Sequence, residues 1–178
     1  MSLSLKSSLP ALVLLLSACR GDPIHYHTLS PAQPAGQSSS SKDIQIEQVS
    51  VPPQVDRTQM VIRQGNSGLV IMETEWWGAT LADELRSSLD EQLSNPGAPT
   101  LSLRVDVQRF DTVPGQYARM DVQWRLRDLA SEARPLTCHS SLQTPASGSI
   151  DELVTAHQQN VRRFVGLVEQ AASRQACP

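Results

Sequence analysis

Few side chains in this sequence have the types and spacing to do chemistry, and each would need a scaffold to do it. Ser67 sits between glycines in "GNSG", and the serine nucleophile of an α/β hydrolase stands in Gly-x-Ser-x-Gly at a strand-to-helix turn. The runs on either side, "QMVIRQ" and "GLVIME", both read as extended, so this segment is expected to be a hairpin turn. Glu73 and Glu75 would share one strand face, and paired carboxylates act as general acid and base only in a cleft that separates their pKa values. His25 and His27 alternate and could face a metal together. Their Pro-, Ser- and Gln-rich surroundings supply no carboxylate or thiol at a fixed distance. Cys138 and His139 are neighbours, which on a strand sends them to opposite faces. The residues thus point to no catalytic, cofactor-binding or metal site, and the expectation is a protein that is not an enzyme.

A different chemistry is available in "LSACRG", residues 16–21. A weakly basic start carrying Lys6 precedes an apolar core from Leu9 to Leu16, and the small Ser17 and Ala18 precede Cys19. Such a core is too short to cross a bilayer, which takes about 20 residues of helix. Leu16-Ser17-Ala18-Cys19 resembles the bacterial lipobox, whose cysteine is diacylglycerol-modified and becomes the first residue of the mature protein. The alternative is a plain secretory leader with an unmodified cysteine. Residues 1–18 are then a signal peptide and Cys19 a lipidation site, with the rest of the chain outside the cytoplasm. One acyl chain holds a protein only marginally, at about 0.8 kcal/mol per buried methylene, whereas two or three hold it firmly.

With Cys19 used for lipid, Cys138 and Cys177 remain. Their spacing fits no zinc or thioredoxin-type motif, and an oxidising compartment favours pairing them. A disulfide closing that loop would contribute about 4 kcal/mol in the chain-entropy model. Two free thiols are the alternative. The 15 basic side chains, less Lys6 once the leader is removed, face 18 acidic ones. A mildly acidic surface with no basic tract argues against a nucleic-acid partner.

Positioning these groups requires a domain, and the sequence outlines one. Residues 19–42, with "HYHTLSPAQPAGQSSSSK", are too polar to bury a core and are expected to form a flexible tether reaching about 25 Å. The domain is expected over 43–178. "IQIEQVSV" reads as a strand stopped by Pro52-Pro53, and a hairpin follows around "GNSG". Leu81, Leu85, Leu89 and Leu93 recur every four residues, with Thr80 as N-cap and Asp83 as its capping-box partner. "LSLRVDVQ" and "MDVQWRLR" alternate as half-buried strands joined by a longer loop through Pro114-Gly115, and a weaker strand covers 135–143. A last helix begins at Ser149, with Glu152 in a second capping box, and runs to about Ser173. The expected fold is α/β: a single two-layer domain, with a mixed sheet of about five strands and two amphipathic helices. One sheet face is expected to be wet or covered by a partner. Trp76 and Trp77 precede the first helix; either one ring packs inward and the other marks an interface, or both pack in the core.

The order of lipobox, "HYHTL", "VSVPPQVDRTQMVIR" and "EWWGATLADELRSSLDEQL" resembles the PqiC (YmbA) type of auxiliary lipoprotein from bacterial intermembrane transport systems. The counterparts of that family's motifs are Tyr26 to Leu29, Val51 to Arg63 and Trp77 to Leu81, with "VDRTQMVIR" the most specific piece. Thr58 and Thr80 stand where proline is common in the family, and His25 and His27 flank the single tyrosine of the early motif. The resemblance implies a non-enzymatic subunit that docks a periplasmic conduit at the outer membrane. Its partner would be the MCE-domain protein of an inner-membrane complex, often with an ABC permease and ATPase, that moves phospholipid. Self-association as a homo-oligomer and direct phospholipid contact are compatible with it. Arg20, following Cys19, resembles the outer-membrane sorting signal of enteric bacteria. Asp56, Arg57, Trp76 and Trp77 are expected to border the partner surface. Two other classes stand beside this one: a structural lipoprotein of a β-barrel assembly machine, and a lipid-anchored hydrolase.

Overall fold

Strict alternation of apolar and polar residues builds the larger of two sheets. The computed structural model describes residues 21–32, 42–98 and 100–178; the leader, Cys19 and most of the Ser-rich segment lie outside them. In chain order the described elements are β1 (His25–His27), β2 (Asp43–Ser50), β3 (Gln59–Gln64), β4 (Gly68–Trp77), α1 (Leu81–Leu93), β5 (Thr100–Val113), β6 (Tyr117–Asp128), β7 (Leu136–Pro145) and α2 (Ile150–Arg174). They form a four-stranded sheet in the order β2-β5-β6-β7 and a three-stranded one in the order β1-β4-β3. The α/β class and the two helices are as read from the sequence. The single sheet of about five strands becomes seven strands in two sheets, because β1 and the β3–β4 hairpin pair with each other and not with the larger ladder.

Along β5, Leu101, Leu103, Val105 and Val107 turn inward, and along β6 so do Met120, Val122, Trp124 and Leu126. The helices cover this inner face: α1 packs on β2, and α2 on β6 and β7. Leu81, Leu85, Leu89 and Leu93 of α1 are all buried, as are Val161, Phe164, Val165 and Val168 of α2. Both helix starts are capped as their sequences suggest. The Thr80 hydroxyl accepts from the Asp83 N–H, and the Ser149 hydroxyl from the Glu152 N–H.

Strands β5 and β6 run further than their alternation implies, and a tight turn at 114–116 replaces the expected longer loop. A bulge between Val107 and Arg109 breaks the period, and beyond it the polar Asp111 and Thr112 are buried. Asp111 is accommodated by Arg63 Nε at 2.6 Å and Arg109 Nε at 2.9 Å. The first of these pairs ties β3 of the small sheet to β5 of the large one. Cys138 of β7 and Cys177, beyond α2, form a disulfide.

Candidate functional site

The most informative local structure lies where the sequence suggested none. Residues 25–29 do not belong to a free tether. β1 pairs in parallel with the end of β4, with His25 opposite Glu75, Tyr26 opposite Trp76 and His27 opposite Trp77. The expected domain start at residue 43 is therefore corrected, since these residues form a strap that is part of the domain. Leu29 is 0 % exposed and belongs to the core. Its backbone N–H donates to Glu84 Oε2 at 2.9 Å, and the Thr28 hydroxyl donates to the same oxygen at 2.8 Å. The Ser88 hydroxyl donates to the Leu29 carbonyl, and the Gln158 amide to the Thr28 carbonyl. Both helices and β4 thus grip one short segment, and its buried backbone groups find partners.

The strap also explains the histidines. His27 Nε2 lies 2.7 Å from Glu75 Oε2, and His25 Nδ1 lies 3.3 Å from Glu75 Oε1. His27 Nδ1 is 3.8 Å from Asp151 at the start of α2. Glu75 is the carboxylate that could not be placed from sequence, because the parallel pairing that delivers it is non-local. Both its oxygens are engaged, and among the described residues no group of three or more His, Cys, Asp or Glu side chains is disposed to hold a metal ion. Glu73 and Ser67 are exposed on β4 and in the hairpin turn. Cys138 is buried while His139 is exposed, as alternation on a strand requires.

The four residues assigned to a partner surface separate on inspection. Trp77 is 2 % exposed and packs edge-on against Phe110 and His157, with ring centroids 6.4 Å away in each case. Its assignment to an outer surface is corrected: it is a core residue. Trp76 points the other way, partly exposed, with Nε1–H donating to the Glu73 carbonyl at 2.9 Å. It meets the 66 % exposed Tyr26 edge-to-face at 6.3 Å. Asp56 is exposed and accepts from the Ala82 N–H at the start of α1, where a carboxylate favours the helix dipole. Arg57 is partly exposed, and its Nε is buried without a hydrogen-bond partner.

Beneath the strap lies a buried histidine. His157 stacks on Phe110, with centroids 4.0 Å apart and planes 8° from parallel. Its Nε2 is 2.9 Å from the Thr112 hydroxyl, and its Nδ1 has no partner. Burial pushes its pKa down to about 3, so the ring is neutral in the folded protein.

The second surface of note is the outer face of the four-stranded sheet, which neither helix covers. It carries Arg104, Arg125, Arg127, Thr137, His139, Ser141 and Gln143 as exposed side chains. Arg104 stands directly opposite Arg125, a like-charge pairing that costs stability unless compensated. Arg104 is matched by Glu47; its guanidinium, and then the Ser102 hydroxyl, hold the Glu47 carboxyl below its ordinary value. A shallow groove on this face is lined by Gln48, Ser50, Arg104, Asp106, Gln123 and Arg125.

The described chain thus defines a class: a small α/β domain with an amino-terminal strap, an open polar sheet face and no assembled catalytic group among the residues considered above. A family model described as the ABC-type transport auxiliary lipoprotein component matches residues 27–168, well over half of the chain, and the protein belongs to that family of cell-envelope lipoproteins. The match begins inside the strap. Among solved structures, one described as an uncharacterized protein is 17 % identical, covers 85 % of this chain and 99 % of its own, and superposes with a TM-score of 0.68. A second, a DUF330 protein from Xanthomonas campestris, is 18 % identical, with coverages of 83 % and 94 % and a TM-score of 0.60. At such identities the likeness is one of fold. No curated protein matches the chain. No helix among the described residues is long and apolar enough to cross a membrane.

Proposed function

We propose that this protein is a non-enzymatic subunit, anchored through acylated Cys19 to the periplasmic face of the outer membrane, of an MCE- and ABC-linked system that carries phospholipid between membranes. The observation that carries this reading is the family match over 27–168. Its task would be to dock the periplasmic conduit by binding the MCE-domain protein. With Trp77 in the core, the open face of the four-stranded sheet is the surface we propose for the partner. That face is broad and polar, and its Arg125 and Arg127 project into solvent, so a partner presenting carboxylates would find charge complementarity there.

In-cell crosslinking from a photoreactive residue replacing Arg125 tests this, with mass spectrometry of the adduct. Recovery of an MCE-domain protein is the expected result. Recovery of an outer-membrane β-barrel alone would overturn it in favour of an assembly-machine lipoprotein.

A further inference from the structure

We infer that the edge formed by Ile24, Tyr26 and Trp76 is a bilayer-contacting surface, which lies in the headgroup layer of the membrane that holds the anchor. The inference rests on the reading of Cys19 as lipid-modified, and its occupant is a phospholipid bilayer. Three observations carry it. First, the edge is apolar and outward: Tyr26 is 66 % and Ile24 41 % exposed, and Trp76 packs against Tyr26. Paired aromatic rings with a polar tip favour the membrane–water interface. Trp76 Nε1–H is already satisfied by the Glu73 carbonyl, so sinking the ring into lipid strands no donor.

Second, the edge is close to the anchor by covalent necessity. Between Cys19 and His25 lie five residues, a chain that spans at most ~21 Å fully extended and about 13 Å on average as a flexible coil. A headgroup layer is itself about 5–7 Å deep. The Ser-rich stretch contributes no reach, since it follows the strap and leads only to β2.

Third, the strap cannot swing away from the domain without exposing Leu29 and releasing the hydrogen bonds to Glu84, Ser88 and Gln158. The anchor therefore positions a rigid edge and not a free bead on a string. Short tethering gives a high effective concentration of membrane at that edge, so a modest intrinsic preference for lipid is sufficient.

Tryptophan emission can test this directly, because only one of the three tryptophans is accessible. Trp77 and Trp124 are buried, which leaves Trp76 to report. Protein produced in cells with its own leader, so that any processing at Cys19 takes place there, is reconstituted into phosphatidylethanolamine/phosphatidylglycerol vesicles, with or without bromine on the acyl chains near the headgroup. Brominated vesicles are expected to quench up to about one tryptophan's share in three of the emission. Trp76→Phe should abolish that quenching, and Tyr26→Ser should reduce it. Equal emission from both vesicle types, with the protein still floating alongside them, overturns the lipid contact and leaves the anchor intact. Failure to float overturns the anchor reading, and this inference falls with it. Crosslinks from position 76 that yield protein adducts and no lipid would assign the edge to a partner and also overturn the inference.

Discussion

At its amino-terminal end the domain holds residues 27–29 by burying Leu29 in the core and satisfying the backbone with Glu84, Ser88 and Gln158 of the two helices, whereas at its carboxyl-terminal end an exposed Cys177 is tied covalently to β7. The first fastening depends on core packing and polar satisfaction together, so damage to it opens the interior. The second constrains the unfolded chain and adds little buried surface, so damage to it leaves the core closed. The difference fits the anchoring role proposed for the amino-terminal end. An anchor at Cys19, as proposed above, would pull on the strap, and an end rooted in the core can pass that pull to the whole domain.

The comparison would break most visibly at Leu29. Leu29→Ala removes a fully buried core side chain, and such truncations cost about 2–5 kcal/mol. Chemical denaturation should show the midpoint falling with little change in slope, and limited proteolysis should cut within residues 25–32 before any cut in β5 or β6. A loss under about 1 kcal/mol would mean that the strap is an ornament on an independently stable domain.

Loss of the disulfide should come next. Its two cysteines are 39 residues apart, for which the loop-closure model gives about 4 kcal/mol as an upper figure. Because α2 is already packed on the sheet, Cys177→Ser is expected to cost about 2–3 kcal/mol in the same assay. Proteolytic protection of the strap should be unchanged. If the strap loosens as well, the two ends are coupled through α2 and the contrast fails.

A smaller effect is expected at Glu84. Glu84→Ala leaves the Leu29 N–H and the Thr28 hydroxyl without their acceptor, and a buried donor left unmade costs about 1–3 kcal/mol. Hydrogen exchange at the Leu29 amide should accelerate more than exchange in β6, because the local opening is made easier while the large sheet is untouched.

The contrast between ends also marks what the sequence could and could not disclose. The large sheet and both helices were legible because period-two alternation in 101–107 and 120–126 and the leucine spacing of α1 are local signals. The strap was not, since three residues in a proline-rich polar stretch carry no periodicity, and their partner strand lies some fifty residues away. Leu29, the lone large aliphatic between Ile24 and Ile44, was the available clue that the segment had something to bury. The tryptophan pair shows a subtler limit. Adjacent residues on a strand face opposite ways, but an irregularity in the β3–β4 pairing between Ile71 and Trp76 breaks the parity that would have identified Trp77 as the inner ring. In the same way the bulge at Val107/Arg109 hid the end of β5, whose buried Asp111 reads as loop until Arg63 is brought beside it by the fold.

Acid should sharpen the contrast through the smallest of the effects considered. His157 lies beneath the strap, stacked on Phe110 and edge-on to Trp77, and the next residue, Gln158, holds the Thr28 carbonyl. Its pKa is about 3 in the folded protein against 6.5 as the ordinary value. Between those values the unfolded chain takes up a proton that the folded one refuses. The stability this neutral ring allows is complete above pH 6.5 and is lost progressively as pH falls toward 3. From pH 6 to pH 5 the loss should be about 1 kcal/mol, given about 1.4 kcal/mol per pH unit for a full proton. Glu47 and Asp121, whose pKa values are held below 4.5 and 3.8 respectively, act mainly at lower pH, so this window isolates the histidine from them. His157→Gln keeps a polar group for the Thr112 hydroxyl and cannot take the proton. Against the wild type, its stability should fall less steeply over that unit. Exchange at the Leu29 amide should become less acid-dependent, while the amides around Cys138 show no difference between the two proteins. Identical slopes would mean that His157 is not the acid-sensitive element at the strap end.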